Sequence, residues 1–221
     1  MDKLRIDWSL YLITDRRIAG RRNIVDIVRD AIRGGVTVVQ LREKTAATHE
    51  MIELAREMHY VTESADVPLI INDRVDVALA IKAEGVHVGP PDDMPASLAR
   101  KLLGPDRIVG VSAESPEIAL QAVRDGADYV GVGDIYGTIS KADAGEPIGL
   151  TGLKAVVDIC PIPIVGIGGI SPGNAAAVIE AGANGVALIS AIVGADDPAA
   201  ASRELRERID EGRKIPPFDK H

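Results

Sequence analysis

The chain has 221 residues, of which 46% are hydrophobic and only 3% aromatic, so it can bury one sizeable core built from aliphatic side chains. Its 33 acidic and 25 basic side chains give a net charge of −8, which argues against nucleic acid as the main partner but leaves room for a small anion bound locally. The single Cys160 excludes an intrachain disulfide, and no apolar run approaches the roughly 18 residues of a membrane helix. With no secretory apolar region near Met1, we expect a cytoplasmic protein.

Short apolar runs alternate along the chain with longer segments of helical periodicity. The eight runs are LYLIT (10–14), TVVQLR (37–42), PLIIN (68–72), GVHVG (85–89), IVGVS (108–112), YVGVG (129–133), PIVGIG (163–168) and GVALIS (185–190). The helical segments between them include NIVDIVRDAIRGG (23–35), HEMIELAREMHYVTESA (49–65) and SPEIALQAVRDGA (115–127). Eight strand–helix units in about 200 residues predict an α/β fold, a single-domain (β/α)8 TIM barrel, with an open doubly wound sheet as the alternative.

The domain boundaries follow from the absence of any Pro/Ser-rich linker in the sequence. We expect an N-terminal lead-in over residues 1–9, the barrel over 10–212 and a flexible tail over 213–221. The pair Pro216-Pro217 is expected to stop the last helix, and little apolar material follows it.

The end of the second predicted strand is rich in polar side chains, and strand ends are where a barrel carries its active site. The segment QLREK (40–44) places Gln40, Arg42 and Lys44 on one face of an extended chain. These three side chains would form a hydrogen-bonding and cationic wall at the barrel mouth. The alternative is a charged loop that simply faces solvent.

Carboxylates follow the third and fourth predicted strands. Asp73 comes directly after PLIIN (68–72), and Asp92 and Asp93 lie in the loop after GVHVG (85–89). Carboxylates from adjacent strand ends can share Mg²⁺, which is typically held by one or two carboxylates together with substrate phosphates. Capping of the helices that follow is the alternative for each of them. Their position beside the cationic wall favours a metal–phosphate site.

The last four predicted strands end in hydroxyls, a lysine and glycines. Strand 5 ends in Ser112, and the long loop GDIYGTISKADAGEP (133–147) after strand 6 offers Thr138, Ser140 and Lys141. Strand 7 ends in GIGGISP (166–172) and strand 8 in Ser190. Loops after strands 7 and 8 form the phosphate cradle of many TIM barrels, because glycines let backbone N–H groups approach the oxyanion.

Candidate bases are few in this sequence. It has no His-x-x-x-His metal pair and no Ser-His-Asp order in a suitable place. His87 lies inside strand 4 and is expected to pack or hydrogen-bond rather than act as a base. The strand ends therefore indicate two separate anion sites and favour charge stabilisation over proton transfer.

Taken together and in this order, the motifs resemble those of the thiamine-phosphate synthase family over nearly the whole chain. They are YLITD (11–15), QLREK (40–44), IND (71–73), GVHVG (85–89) with Asp92 following, Ser112, DYVGVGDIYGTISK (128–141), AGEPIGL (144–150), PIVGIGGI (163–170) and GVALISAI (185–192). The resemblance implies a transferase of thiamine biosynthesis. It implies small-molecule substrates, a pyrimidine diphosphate and a thiazole phosphate, joined with release of pyrophosphate and with help from Mg²⁺.

The resemblance also implies roles for individual residues. On the pyrimidine side it implies Gln40, Arg42, Lys44, Asn72, Ser112 and Lys141, with Asp73 and Asp92 on Mg²⁺. Around the thiazole phosphate it implies Thr138, Ser140, Gly169, Ile189 and Ser190. The predicted catalytic residues among these are Arg42, Lys44, Ser112 and Lys141.

The chain departs from the family pattern at a few positions. Pro90-Pro91 replaces a common Gln after GVHVG, Asp134 and Tyr136 stand where Pro and Phe are usual, and Ser140 replaces a second Thr. A related thiazole tautomerase shares the barrel and cradle but carries a His where this chain has Asp134. That activity, and a non-catalytic thiazole-phosphate-binding barrel, are the alternatives, although both leave the predicted metal pair without a purpose. The acidic helices suit either solubility or an interface, so a homo-oligomer stays open.

Overall fold

A computed structural model describes residues 5–89, 93–137 and 146–214 of the chain. The strands are β1 (Leu10–Ile13), β2 (Val38–Leu41), β3 (Leu69–Asn72), β4 (Gly85–Val88), β5 (Ile108–Ala113), β6 (Tyr129–Val132), β7 (Ile164–Ile167) and β8 (Gly185–Leu188). They close in chain order into one parallel barrel, in which β1 pairs with both β2 and β8. The predicted (β/α)8 barrel is confirmed, and the open doubly wound sheet is wrong.

Helices surround this barrel and connect its strands. They are α1 (Arg16–Ala19), α2 (Ile24–Arg33), α3 (Thr48–Glu63), α4 (Val75–Ile81), α5 (Ala96–Leu103), α6 (Pro116–Arg124), α7 (Gly149–Val157), α8 (Ala175–Glu180), α9 (Ser190–Val193) and α10 (Pro198–Lys214). α10 reaches two residues into the predicted tail, whose residues 215–221 lie outside the described part of the chain. Within the described ranges, no helix combines the length and the apolar character needed to cross a membrane.

The strands are buried on both faces, which explains why they read as nearly continuous Val, Ile and Leu runs. All four residues of β1, β2, β3 and β8 are buried. Tyr11 and Ile13 line the cavity at the mouth, so period two turns Leu10 and Leu12 of β1 toward the helices. The core therefore has an outer layer between strands and helices and an inner layer within the barrel.

The lead-in before β1 contributes to that inner layer. Trp8 is only 7% exposed, and its ring lies 4.3 Å from the Tyr129 ring, centroid to centroid. Because Trp8 precedes β1, it closes the barrel at the N-terminal end of the strands. The opposite, C-terminal end is left open to ligands.

Candidate active site

The C-terminal ends of the strands surround an open cavity of about 420 Å³. Most of the residues predicted from the sequence line it: Gln40, Arg42, Lys44, Asn72, Asp73, Ser112, Gly169, Ile189 and Ser190. The other four predicted residues, Asp92, Thr138, Ser140 and Lys141, lie outside the described residues. One cavity thus brings together the described members of both predicted anion sites.

Arg42 is held at the mouth by a buried carboxylate that sequence reasoning missed. Its guanidinium donates to Asp15 Oδ2 at 3.3 Å, and its backbone N–H donates to Thr14 Oγ1 at 3.1 Å. Asp15 is 3% exposed. Burial raises the pKa of the Asp15 carboxyl, but hydrogen bonds from Arg17 outweigh burial and hold the pKa below its ordinary value. Asp15 therefore stays ionised and fixes the direction of the Arg42 side chain.

The signal for Asp15 was present in the sequence, in the motif YLITD (11–15). The strand register places Ile13 beside Gln40, so the residues after β1 and β2 emerge together at the mouth. An acid two residues beyond β1 was therefore a candidate partner for a base just beyond β2. That pairing becomes visible only once the barrel register is known.

Lys44, Asp73 and Asp93 form a charged cluster across the ends of β2, β3 and β4. Lys44 Nζ forms an ion pair with Asp73 Oδ2, and Asp93 Oδ2 accepts a hydrogen bond from the backbone N–H of Gly89 at 2.6 Å. Loss of hydration, and then the adjacent Asp73 carboxyl, raise the pKa of Asp93 to about 6. Two carboxylates are thus crowded together beside one ammonium.

The alternative of helix capping is wrong for both described carboxylates. α4 and α5 begin without a side-chain cap. Asp73 adopts a φ of 62°, which is uncommon for a residue other than glycine. Its backbone N–H donates to the His87 carbonyl at 2.8 Å, which ties the ends of β3 and β4 together.

The floor of the cavity is a row of hydrogen-bonded side chains inside the barrel. Gln40 Nε2 donates to Tyr11 Oη at 2.8 Å, and the hydroxyls of Tyr11 and Tyr129 are 2.7 Å apart. His87 Nδ1 lies 2.9 Å from Tyr129 Oη, and His87 Nε2 lies 3.0 Å from Ser112 Oγ. His87 hydrogen-bonds as predicted, whereas no sequence pattern indicated that the two tyrosines belong to the site.

The opposite side of the mouth is built from backbone. Gly168 and Gly169 have φ values of 101° and 63°, which other residues rarely adopt. A Cβ on Gly168 would lie 1.8 Å from Asp134 Oδ1, and one on Gly169 would lie 2.4 Å from the Gly137 carbonyl. Within the described residues, no protein acceptor takes the backbone N–H of Gly168, Gly169 or Ser190. These groups can therefore receive an anion, as the sequence predicts.

Asp134 lies beside these glycines, and among the described residues only one of its two carboxylate oxygens accepts a hydrogen bond. Its Oδ1 accepts a hydrogen bond from the Gly137 N–H at 3.0 Å. Its Oδ2 is buried and has no hydrogen-bond partner among the described residues. A buried carboxylate oxygen without a donor is costly, so this oxygen is available to a proton donor on a ligand.

No group of three or more His, Cys, Asp or Glu side chains that could hold a metal ion occurs in ranges 5–89, 93–137 and 146–214. Of the predicted metal pair, only Asp73 falls within those ranges. The carboxylates available there are Asp73 and Asp93, which are oxygen ligands of the kind that Mg²⁺ prefers.

The fold and this mouth together define a class of protein: a (β/α)8-barrel with its candidate site in the cavity at the C-terminal ends of its strands. Residues 10–192 match the family described as TMP-TENI, thiamine monophosphate synthase. The chain belongs to this family. It is accordingly an enzyme of thiamine biosynthesis and a transferase, as the sequence predicted.

Curated relatives and a solved structure agree with that assignment. The chain is 52% identical over 206 residues to a thiamine-phosphate synthase of Moorella thermoacetica, covering 93% of this chain and 98% of the relative. It is 56% identical over 204 residues to one of Chloroflexus aurantiacus, covering 92% and 94%. A thiamine phosphate pyrophosphorylase structure from Pyrococcus furiosus superposes with a TM-score of 0.86 at 42% identity, covering 95% of this chain and 98% of that one.

Proposed function

We propose that this enzyme couples 4-amino-2-methyl-5-pyrimidinylmethyl diphosphate with thiazole phosphate to give thiamine monophosphate and pyrophosphate. The observation that carries the proposal is the pair of anion-binding regions that face one cavity. The region at β2–β4 offers Arg42 and Lys44, whereas the region at β7–β8 offers backbone N–H groups. One diphosphate and one monophosphate match these two regions in charge.

The proposed reaction is a dissociative displacement. The C–O bond between the pyrimidine methylene and the diphosphate breaks, and its electron pair leaves with pyrophosphate. The lone pair of the thiazole ring nitrogen then forms the C–N bond to that methylene carbon. The electron-rich aminopyrimidine stabilises the cation between the two events, so no strong general base is required.

The protein's main task in this reaction is to stabilise the charge of the departing group. Arg42 and Lys44 are placed to hold the diphosphate oxygens, and Lys141 is proposed to join them. Fixed charges of this kind, aimed where charge develops, need no reorganisation during the reaction. Ser112 and Gln40 lie deeper in the cavity, where they are proposed to orient the pyrimidine.

We further propose Mg²⁺ as the cofactor, held by Asp73 and Asp92. The donor set is suitable, because Asp73 is an oxygen ligand beside a second carboxylate, Asp93, whose pKa is raised to about 6 by loss of hydration and then by Asp73. A divalent cation relieves such crowding. Ligation by one or two carboxylates plus substrate phosphate is the usual Mg²⁺ arrangement. When bound, the ion would neutralise charge on the diphosphate.

The test is to incubate the enzyme with both phosphorylated substrates and to follow pyrophosphate and thiamine monophosphate together. We expect equal amounts of the two products, formed only when both substrates are present. Chelation should stop the reaction and added Mg²⁺ should restore it. No pyrophosphate under any condition would overturn the coupling, and full activity after chelation would overturn the role of the metal.

The orphaned oxygen of Asp134 favours a second candidate, proton transfer on the thiazole as in a tautomerase. Asp134 Oδ2 is buried, has no hydrogen-bond partner among the described residues and is adjacent to the proposed cradle. The matched variant is Asp134→Asn, which keeps the shape and removes the base. Exchange of a thiazole proton with deuterium that is lost in this variant, without pyrophosphate release by the wild-type enzyme, would establish the tautomerase instead.

A further inference from the structure

The barrel interior is built around a polar row where aliphatic side chains would be the ordinary filling. The row contains Gln40, Tyr11, Tyr129, His87 and Ser112, with four consecutive contacts of 2.7 to 3.0 Å. It crosses the barrel from β2 to β5, beneath the cavity. Tyr129 is not among the residues to which sequence or resemblance assigns a role.

Two glycines leave space for the rings of this row, and a tryptophan packs against one of them. A Cβ on Gly110 would lie 2.2 Å from the Tyr129 ring, and one on Gly131 would lie 3.2 Å from Cε1 of His87. Trp8 also packs against the Tyr129 ring, with the ring centroids 4.3 Å apart. The two rings are therefore fixed by packing, so the hydrogen bonds between them are held in place.

The direction of the row follows from the number of protons available. Gln40 donates to Tyr11 Oη, and burial raises the pKa of Tyr11 and of Tyr129 well above the ordinary value, so each phenol keeps its one proton. If Tyr129 donated to Tyr11, the proton of fully buried Tyr11 would have no acceptor among the described residues. Tyr11 therefore donates to Tyr129.

The remaining steps follow from the contacts among the described residues. Tyr129 has accepted from Tyr11 and must give its own proton to His87 Nδ1. A neutral imidazole that accepts at Nδ1 carries its proton on Nε2, and the Nε2–H group can donate to Ser112 Oγ, which lies 3.0 Å away. The Ser112 hydroxyl is then free to donate into the cavity.

We propose that Tyr129 is a positioning residue, which holds His87 in the Nε2–H tautomer and thereby makes Ser112 a hydrogen-bond donor toward the substrate. The tautomer is a property of the free enzyme. Only the last link, from Ser112 to a substrate acceptor atom, rests on the proposed coupling function.

The first test is nitrogen NMR of the free, full-length enzyme labelled in its histidine rings. The chain has four histidines, and a His87→Gln variant identifies the His87 signals. We expect Nε2 of His87 to carry the proton and Nδ1 to be unprotonated. In Tyr129→Phe we expect a change in the populations of the two His87 tautomers. A protonated Nδ1 in the wild type, or no change in Tyr129→Phe, would overturn the proposal, whatever reaction the enzyme catalyses.

The second test is a double-mutant cycle on coupling activity. Tyr129→Phe keeps the ring that packs on Trp8 and removes only the hydroxyl, and we expect it to lower kcat/KM about tenfold, the scale of one hydrogen bond. In a Ser112→Ala background the same substitution should cost almost nothing, because its effect acts through Ser112. An equal loss in both backgrounds would show a merely structural role. Tyr60→Phe, at a tyrosine that is 74% exposed, is the matched control and should behave as wild type.

Discussion

The two sides of the barrel mouth are prepared for anions by different means. At β1–β4, charged side chains are held by other charged side chains, as Arg42 is by Asp15 and Lys44 by Asp73. At β7–β8, the turn through Gly168 and Gly169 presents backbone N–H groups instead. The first side depends on charge and the second on backbone shape.

This difference predicts how each side responds to change. At the β1–β4 side, removing the charge of Arg42 or Lys44 should lower activity and leave the fold intact, because buried Asp15 keeps its ion pair with Arg17 and Lys44 is half exposed. At the β7–β8 side, adding one methyl group to Gly168 or Gly169 should disturb both binding and stability, because the neighbouring atoms leave no space for it. Substitutions can therefore separate the two means of binding.

The largest effect on activity is expected for Arg42→Ala, at the β1–β4 side of the mouth. Loss of one preorganised charge-stabilising group lowers turnover by about 10²–10³-fold, while the melting temperature should stay close to wild type. Steady-state coupling rates and thermal unfolding measure the two quantities. Arg56→Ala is the matched control, because Arg56 lies on α3 and, in the part of the chain that the structure describes, pairs with Glu53 on the surface. Turnover near wild type in Arg42→Ala would remove Arg42 from the catalytic group.

The next largest effect, on KM and stability, is expected for Gly169→Ala at the β7–β8 side of the mouth. The new methyl group meets the Gly137 carbonyl at 2.4 Å in a backbone conformation with a φ of 63°. We expect a rise of tenfold or more in KM for thiazole phosphate, and a loss of about 1–3 kcal/mol in unfolding free energy. Gly173→Ala is the control, because its Cβ would meet only Ser171 Oγ, at 3.8 Å. If Gly169→Ala kept both its KM and its stability, the cradle would not depend on this turn.

Asp15→Asn tests whether Arg42, at the β1–β4 side of the mouth, depends on the negative charge that holds it. Asn keeps an oxygen that can cap α1, as Asp15 does through Arg17 N and Ile18 N, but it removes the negative charge beside Arg42. We expect about a tenfold fall in kcat/KM, the scale of a hydrogen bond to a charged group. The same substitution in an Arg42→Ala background should have little further effect on kcat/KM. Independent, additive losses would mean that Asp15 does not act through Arg42.

The sequence predicted the barrel and the described part of the cationic wall for one physical reason. Apolar runs that alternate with helical segments predict parallel strands, and the carboxyl ends of such strands share one edge. Arg42 ends an apolar run, Lys44 lies two residues beyond it and Asp73 directly follows another run, so their place at the mouth required no knowledge of distant contacts. The glycines after β7 could be placed at the mouth by the same reasoning, because they also follow an apolar run.

The contacts that sequence reasoning missed all depend on the register around the closed barrel. Tyr11 and Tyr129 lie 118 positions apart, and inside Val- and Ile-rich runs each resembles an ordinary core residue. The crowding of Asp73 and Asp93 likewise depends on how the loops after β3 and β4 fold back. These contacts become predictable only when the strand order and register of the closed barrel are known, because these determine which strand ends are neighbours.

The smallest effect, and the one that compares the two sides directly, is the salt dependence of binding. Half of the Lys44 side chain is exposed, so ions can screen it, and the Debye length falls from about 10 Å at 0.1 M salt to about 3 Å at 1 M. At a fixed Mg²⁺ concentration, we expect the affinity for inorganic pyrophosphate to fall several-fold over this range, and the affinity for thiazole phosphate to fall less. Calorimetric titrations of each ligand give both slopes, and Arg42→Ala should flatten only the pyrophosphate slope. Parallel slopes in the wild type would mean that screened side-chain charge dominates on both sides, and the contrast between them would then be wrong.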